Sequence, residues 1–437
     1  MNASSMSRLA GVSVALAALA SPVATAAPAD TTAGSGAFQF EPVPASAACT
    51  AGGNAAQPFV LPPGYSQRIV AHEGQPGFRN NPDMNTQNET GADAGRYLYR
   101  PHENGPGDAG VSVTDLWTET TRELSFRPDW ERLDGIVWTQ RGTLLTAEET
   151  NAQAAPDPSV PQARKGLVYE IDPATGAPVA RPALGSKSHE GMRFDPEGNL
   201  YSISEFNQGH IFKFTPDTRG DLSSGQLYAL KITEPNGDRT GEARWLPLDR
   251  TAVQVDADAA ADAVGATQYD RPEDVEIDTD TGNTSGGSYR LYVAVTEPEE
   301  TRVLGIDLRE PSGGTTHDTA YVWDYVRRGQ PNVPADFEWP DNLALDRSGN
   351  LYIAEDPPSN PPGRGTDVWV AEPPNAVGTH QPAERVVRFA SLTDCAAEPT
   401  GLYFNMGKEP RLYVNAQHRG GDGIDEAIEI RPPQTTR

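Results

Sequence analysis

The chain has 437 residues and a formal charge of -26, with 61 Asp and Glu against 35 Lys and Arg. No Lys/Arg cluster offsets this acid excess, which excludes a protein that wraps nucleic acid, because phosphates would meet repulsion over most of the surface. The length allows one large repeat domain or two ordinary domains, and no stretch beyond the N-terminus is apolar for long enough to span a membrane.

Residues 1–29 read as a secretion signal. MNASSMSR precedes the apolar run VSVALAALA, and Ala-rich cleavage candidates follow at 24–26 and 27–29. An exported protein is expected, periplasmic or extracellular. Residues 30–58, rich in Ala, Gly, Ser and Pro, are expected as a flexible lead, and 59–437 as one domain. The only cysteines are Cys49 and Cys395, and in an oxidising compartment a disulfide between them is the simplest assignment. Polar residues from 75 to 96 predict a loop over one face. Longer insertions are expected at 150–165, at 249–270, where DADAAADAVGA allows a short helix, and at 357–366.

Five segments share one plan: DGIVWTQRGTLLTAEE (134–149), EGMRFDPEGNLYSISEF (190–206), EDVEIDTDTGNTSGGSYRLYVAVTE (273–297), PDNLALDRSGNLYIAED (340–356) and EPTGLYFNMGKEPRLYVNAQH (398–418). Each begins at or beside an acidic residue and runs through an alternating strand, a Gly-containing turn and a second strand, and most end in a carboxylate. Imperfect repeats of short antiparallel strands predict an all-β propeller with long inserted loops. Innermost strands of such a ring converge on its channel. Glu190, Glu273, Asp341 and Glu398 begin comparable strands, and Asp134 is a fifth. Converging carboxylates repel unless cations or donors compensate them. Carboxylates beside a carbonyl such as that of Asn342 suit Ca²⁺ or Mg²⁺. Zinc is less favoured because His is scarce. His102, His189 and His418 sit at repeat edges, and His189 is open between ligand and partner of a ligand.

The run GYSQRIVAHEG, PHENGPGDAGVSVTDL, DGIVWTQRGTLLTAEET, SHEGMRFDPEGNLYSISEF, YDRPEDVEID, WPDNLALDRSGNLYIAED and EPTGLYFNMGKEPRLYVNAQH resembles the PhoX-type alkaline phosphatase family over roughly residues 59–425. The resemblance implies a six-bladed β-propeller exported from bacteria, expected as a monomer, that hydrolyses phosphate monoesters with bound Ca²⁺ and a pair of ferric ions. The sixth blade would come from 97–126 or from the two termini together. The positions matching the family's metal-bearing motifs are Glu148, Glu149, Glu190, Glu205, Glu273, Asp274, Asp341, Glu355 and Asp356, with Glu103 a further member. The family's phosphatases carry a cysteine just before the paired glutamates, where this chain has Ala147. On that comparison the Fe³⁺ centre is lost, rearranged or filled by another transition metal.

The chemistry expected is metal-assisted hydrolysis of a small phosphorylated substrate, with an arginine steadying the developing charge. Arg271 is the first candidate, since it precedes the sharpest motif, and Arg193 is the second. No G-x-S-x-G elbow is present, and GTLLT lacks the Lys of a phosphate loop. Two alternatives stay open: a calcium-dependent lactonase or esterase, and a noncatalytic propeller in which calcium only rigidifies the ring and face loops bind a partner.

Overall fold

In the computed structural model the described residues are 40–437 except 151–154, 281–288, 297–299, 310–317, 358–361, 375–379, 406, 422 and 434–437. The expected signal at 1–29, residues 30–39 of the lead and parts of the insertions at 150–165 and 357–366 lie outside them.

Each repeat folds as an antiparallel hairpin. The pairs are Leu133–Trp138 with Leu144–Glu148, His189–Phe194 with Leu200–Ser204, Pro272–Asp278 with Arg290–Val295, Pro340–Leu345 with Leu351–Glu355, and Glu398–Phe404 with Leu412–Gln417. Two of the turns show why the sequence bends where it does. Asp195 accepts from the Asn199 backbone N–H at 2.8 Å and its side-chain amide at 2.7 Å, and Asp346 holds Asn350 in the same way at 3.0 and 2.8 Å. In both, an Asp side chain stands in for a backbone acceptor and leaves the next positions free for Gly and Asn. Apolar residues at alternate strand positions, such as Leu291, Val293 and Val295, are buried in a hydrophobic cluster.

The expectation of six blades is corrected. Hydrogen bonding among the described residues gives four separate blade-sized sheets, of four or five strands each, and the repeats beginning at 190 and 273 share one continuous nine-stranded sheet. The physical cause is pairing of Gly241–Pro247 with Thr319–Arg327, in register from Gly241 opposite Val322 to Arg244 opposite Thr319. Outer strands that would border a gap between two blades are therefore joined. The end strands of that sheet, His189–Phe194 and Pro272–Asp278, pack against each other. A two-stranded ribbon, Asn207–Gly209 with Tyr269–Asp270, runs beside it. Residues 97–126 contribute three strands to a sheet completed by Thr86–Gln87.

The chain ends meet in the sheet of the last repeat, where Ser66–His72 pairs with Glu426–Arg431. Residues 40–58, assigned in the sequence to the lead, run against the sheet of the fourth repeat: Val43 N–H donates to Arg388 O and Thr50 N–H to Thr393 O, both at 3.0 Å. Cys49 and Cys395, 346 residues apart, are joined by a disulfide. The Ala-rich insertion contains the short helix Ala257–Ala263, capped by Asp256, whose carboxylate accepts from Ala259 N–H. Among the described residues no helix is long and apolar enough to cross a membrane.

Strands that begin the repeats lie side by side, and the residue after each acid makes that possible. A Cβ on Gly135 would stand 2.2 Å from Glu190 O, and one on Gly191 would stand 1.7 Å from Asp274 Oδ1. After Glu273 and Asp341 the following side chain bridges the strands instead: Asp274 Oδ2 accepts from Leu343 N–H at 2.9 Å, and Asn342 Oδ1 accepts from Gly401 N–H. The acid thus faces the middle of the ring while its successor fixes the spacing between strands.

Candidate metal centre

A backbone device recurs at the mouth of the ring. Asn81, Arg132, Arg271 and Trp339 have φ between 45° and 54°, a left-handed conformation uncommon for residues other than Gly. Their carbonyls accept from Glu103, Glu149, Thr296 and Asp356 N–H respectively, at 2.8, 2.8, 3.1 and 3.0 Å. Ser188 O receives Glu205 N–H in the same arrangement, at 3.1 Å. Two residues after each such carbonyl stands a carboxylate: Asp83, Asp134, Glu190, Glu273 or Asp341. In the units that begin at Asp83, Asp134, Glu190 and Asp341 the cross-strand bond brings in a second carboxylate, Glu103, Glu149, Glu205 or Asp356, and both line the cavity.

The result is a cavity of about 470 Å³, lined by Asp83, Glu103, Asp134, Glu149, Glu190, Glu205, Glu273, Asp341, Asp356 and Glu398, with Arg271 and His418 among them. Asp134, Glu149 and Glu190 each place a carboxylate oxygen within 4.8 Å of the others, and so do Glu190, Glu273 and Asp341. Glu190 belongs to both groups. Burial, followed by mutual repulsion, raises the proton affinity of Asp134, Glu190 and Asp341 well above the ordinary carboxylate range. Burial does the same for Glu273, helped by Glu205 and opposed by Arg271.

The acidic doublets divide their work, because neighbouring residues on a strand face opposite ways. Glu148 does not line the cavity. It accepts from the N–H groups of Glu131, Gly166 and Leu167 and from Tyr169 OH, and burial pushes its pKa up to about 7. Glu355 accepts from Glu338 N–H at 3.1 Å and Trp369 Nε1 at 2.6 Å, and burial with Asp367 beside it pushes its pKa up to about 8. Asp274 bridges strands as described. Its pKa rises to about 7 through burial, opposed by Arg193. Glu149, Asp356 and Glu273, the other member of each doublet, reach the cavity.

Arg271 holds Glu205 through Nη2 at 2.6 Å and Nε at 2.8 Å, and Glu273 through Nη1 at 3.1 Å. Asp356 lies 3.8 Å from Nη2. Arg193 stands apart from the cavity, its Nε on Glu276 at 3.1 Å and its Nη1 on Met192 O. His189 is buried against Gly185 O, and His102 lies between Asn80 O and Ser112 Oγ, so neither reaches the carboxylates. His418 does, with Nδ1 2.9 Å from Glu398. Asp83 has no counterpart in the sequence reading, since the segment 75–96 looked like a loop, and Arg132 was also missed.

The view of Ala147 as a vacated ligand position is corrected. Both cysteines are engaged in the Cys49–Cys395 disulfide, and Ala147 is fully buried in an apolar cluster with Val137, Leu145, Val168 and Met192. Its methyl group belongs to the packing between sheets and does not line the cavity.

Two observations fit a bound cation. The ligand set is rich in carboxylate oxygens, as hard divalent cations prefer. In addition, Asp83 Oδ1 and Asp134 Oδ1 are buried with no hydrogen-bond donor among the described residues, a cost that a cation would remove.

A family model described as alkaline phosphatase PhoX matches residues 138–420. Among solved structures, PhoX of Pseudomonas fluorescens in complex with vanadate is 18% identical, with a TM-score of 0.69 over 91% of this chain and 98% of that one. A virginiamycin B lyase of Staphylococcus aureus is 10% identical, with a TM-score of 0.44 over 84% of this chain and 99% of that one. A search of curated proteins returns no match. With a family model spanning well over half of its length, the chain belongs to the PhoX alkaline phosphatase family.

Proposed function

We propose that the protein is an exported phosphomonoester hydrolase that works with calcium among its cavity carboxylates. The observation that carries this reading is Arg271 set against Glu205, Glu273 and Asp356 in the wall of a carboxylate-lined cavity. Calcium held by Asp134, Glu149, Glu190, Glu273 and Asp341 would neutralise phosphoryl oxygens and favour ionisation of the attacking water. The family relation and the vanadate, a transition state analogue, in the Pseudomonas fluorescens protein support the same class of ligand here. The disulfide supports export, because such bonds persist in oxidising compartments.

The chain's own residues prepare this chemistry. Burial would lower the proton affinity of Arg271, but Glu273, Glu205 and Asp356 outweigh it, and the guanidinium stays charged. A hydrogen bond from Nε to Glu205, with Nη2 in an ion pair to the same oxygen, orients it before substrate arrives. It is positioned to share the charge that builds on phosphoryl oxygens as the ester bond breaks. Glu148, Glu355 and Asp274, bonded to backbone, keep the strands that carry Glu149, Asp356 and Glu273 in place.

Arg271→Gln is expected to lower phosphomonoester turnover by about a hundredfold to a thousandfold, as for loss of one group stabilising transition-state charge. Assay of this variant beside the wild type, on phosphomonoesters and on lactones, is the test. Unchanged phosphomonoester turnover in the variant, or a wild type that opens lactones and leaves phosphomonoesters intact, would overturn the proposal.

A further inference from the structure

The recurring bend at the mouth makes Arg132 the structural equivalent of Arg271. Both precede a first strand, both are left-handed with φ of 45° and 54°, and both have carbonyls bonded by the N–H that follows the second strand of their unit. Both also stand two residues before a cavity carboxylate, Asp134 or Glu273. Asn81, Ser188 and Trp339 occupy the other positions of this kind, so only these two of the five offer a guanidinium.

The two arginines differ in how far they are committed. Arg271 is locked by Glu205 and Glu273 within 3.1 Å. Arg132 approaches Glu149 only at 3.7 Å, its side chain is 43% exposed, and its Nε has no hydrogen-bond partner among the described residues. Glu149 and Glu205 both line the cavity, Glu149 beside Arg132 and Glu205 beside Arg271, so a guanidinium stands next to each of these two carboxylates. In a protein of charge -26 an anion needs local cations to approach such a cavity. A loosely held guanidinium beside Glu149, a carboxylate of the cavity wall, supplies one at little cost, since few bonds must break before it turns to a ligand.

We infer that Arg132 is a second anion-binding residue, which takes phosphoryl oxygens of the incoming substrate at the rim while Arg271 holds them within. This rests on the phosphomonoester reading of the cavity. A planar guanidinium can offer two parallel N–H groups to such oxygens, which an ammonium cannot.

Arg132→Asn is the informative substitution, because Asn accepts left-handed backbone readily and already stands at the equivalent position 81. Binding of inorganic phosphate to the calcium-replete protein is measured by calorimetry, together with kcat and KM for a phosphomonoester. The phosphate Kd and the KM are expected to rise about tenfold, with kcat much less affected, as for loss of one partly exposed charge-assisted contact. Arg132→Lys should fall between the two. Arg141→Gln, which removes the same charge from the turn at the other end of the same hairpin, should leave all three quantities unchanged. Wild-type phosphate affinity in the Asn variant, or an equal loss in Arg141→Gln, overturns the assignment of Arg132 alone. A wild type that neither binds phosphate nor hydrolyses the ester overturns the reading of the cavity, and Arg132 with it.

Discussion

Replacing Glu190 by Gln is expected to lower phosphomonoester turnover by about a hundredfold or more, and to reduce bound calcium in the same preparation. Glu190 is the one carboxylate shared by both groups of converging oxygens, so its loss weakens two sets of ligands at once. The side chain is buried at 6% exposure and Gln has nearly its shape, so packing is retained while a charge is lost. A second consequence separates a ligand from a merely structural acid. In the absence of cations, Glu190 is disfavoured as an anion by burial and then by Asp134, Glu205, Glu273 and Glu149. The cation-free variant should therefore melt no lower than the cation-free wild type at alkaline pH, although the calcium-bound wild type melts higher than either. Element analysis and melting curves of both proteins, with and without calcium, check this. A variant with full calcium content and full turnover would remove Glu190 from the centre.

The pH dependence of stability should be much steeper without cations than with them. Ordinary carboxyls in an unfolded chain titrate near about 4. In the folded chain, burial and mutual repulsion raise Asp83, Asp134, Glu190 and Asp341 well above that, while Asp274 and Glu148 reach about 7 and Glu355 about 8. Between the unfolded and folded values the folded chain holds more protons, so stability falls as pH rises through that window. The stability these groups contribute is fully present below about pH 4 and is lost by the time pH passes their raised folded values. Calcium competes with those protons and keeps the cavity groups ionised at no such cost. The melting temperature without cations should therefore decline from about pH 5 to about pH 8, while the calcium-bound curve declines less, since only Glu148, Glu355 and Asp274 still titrate in that window, and the gap should widen with pH. Parallel curves would mean that the cavity carboxylates do not hold the ion.

Much of this was legible in the sequence because it depends on local pattern. The alternating Leu343, Leu345, Leu351 and Ile353 gave the hairpin, and Asp346 with Gly349 and Asn350 gave its turn. The acids that begin the repeats were legible too, since strand starts in a ring share one place. The doublets Glu148–Glu149 and Glu355–Asp356 were not separable, because facing is decided by where the second strand bends out of its sheet. A backbone donor such as Gly166 or Glu338, distant in sequence, then decides which acid stays in the blade. Asp83 was hidden because it stands before a strand of only two residues, Thr86–Gln87, which carries no alternation to read. Arg132 was hidden because R-L-D-G and R-P-E-D look unlike until their common backbone bend is seen. The joining of the Gly241–Pro247 and Thr319–Arg327 strands lay beyond reach for a similar reason: pairing between distant outer strands leaves no periodic trace.

The most direct test is phosphomonoester turnover by the purified mature protein as isolated, after removal of metal by a chelator, and after return of calcium alone. Turnover that is abolished by the chelator and restored by calcium is the expected result. Turnover indifferent to the chelator, or absent in a calcium-replete and folded protein, would contradict a cation-dependent phosphoester hydrolase built on these carboxylates.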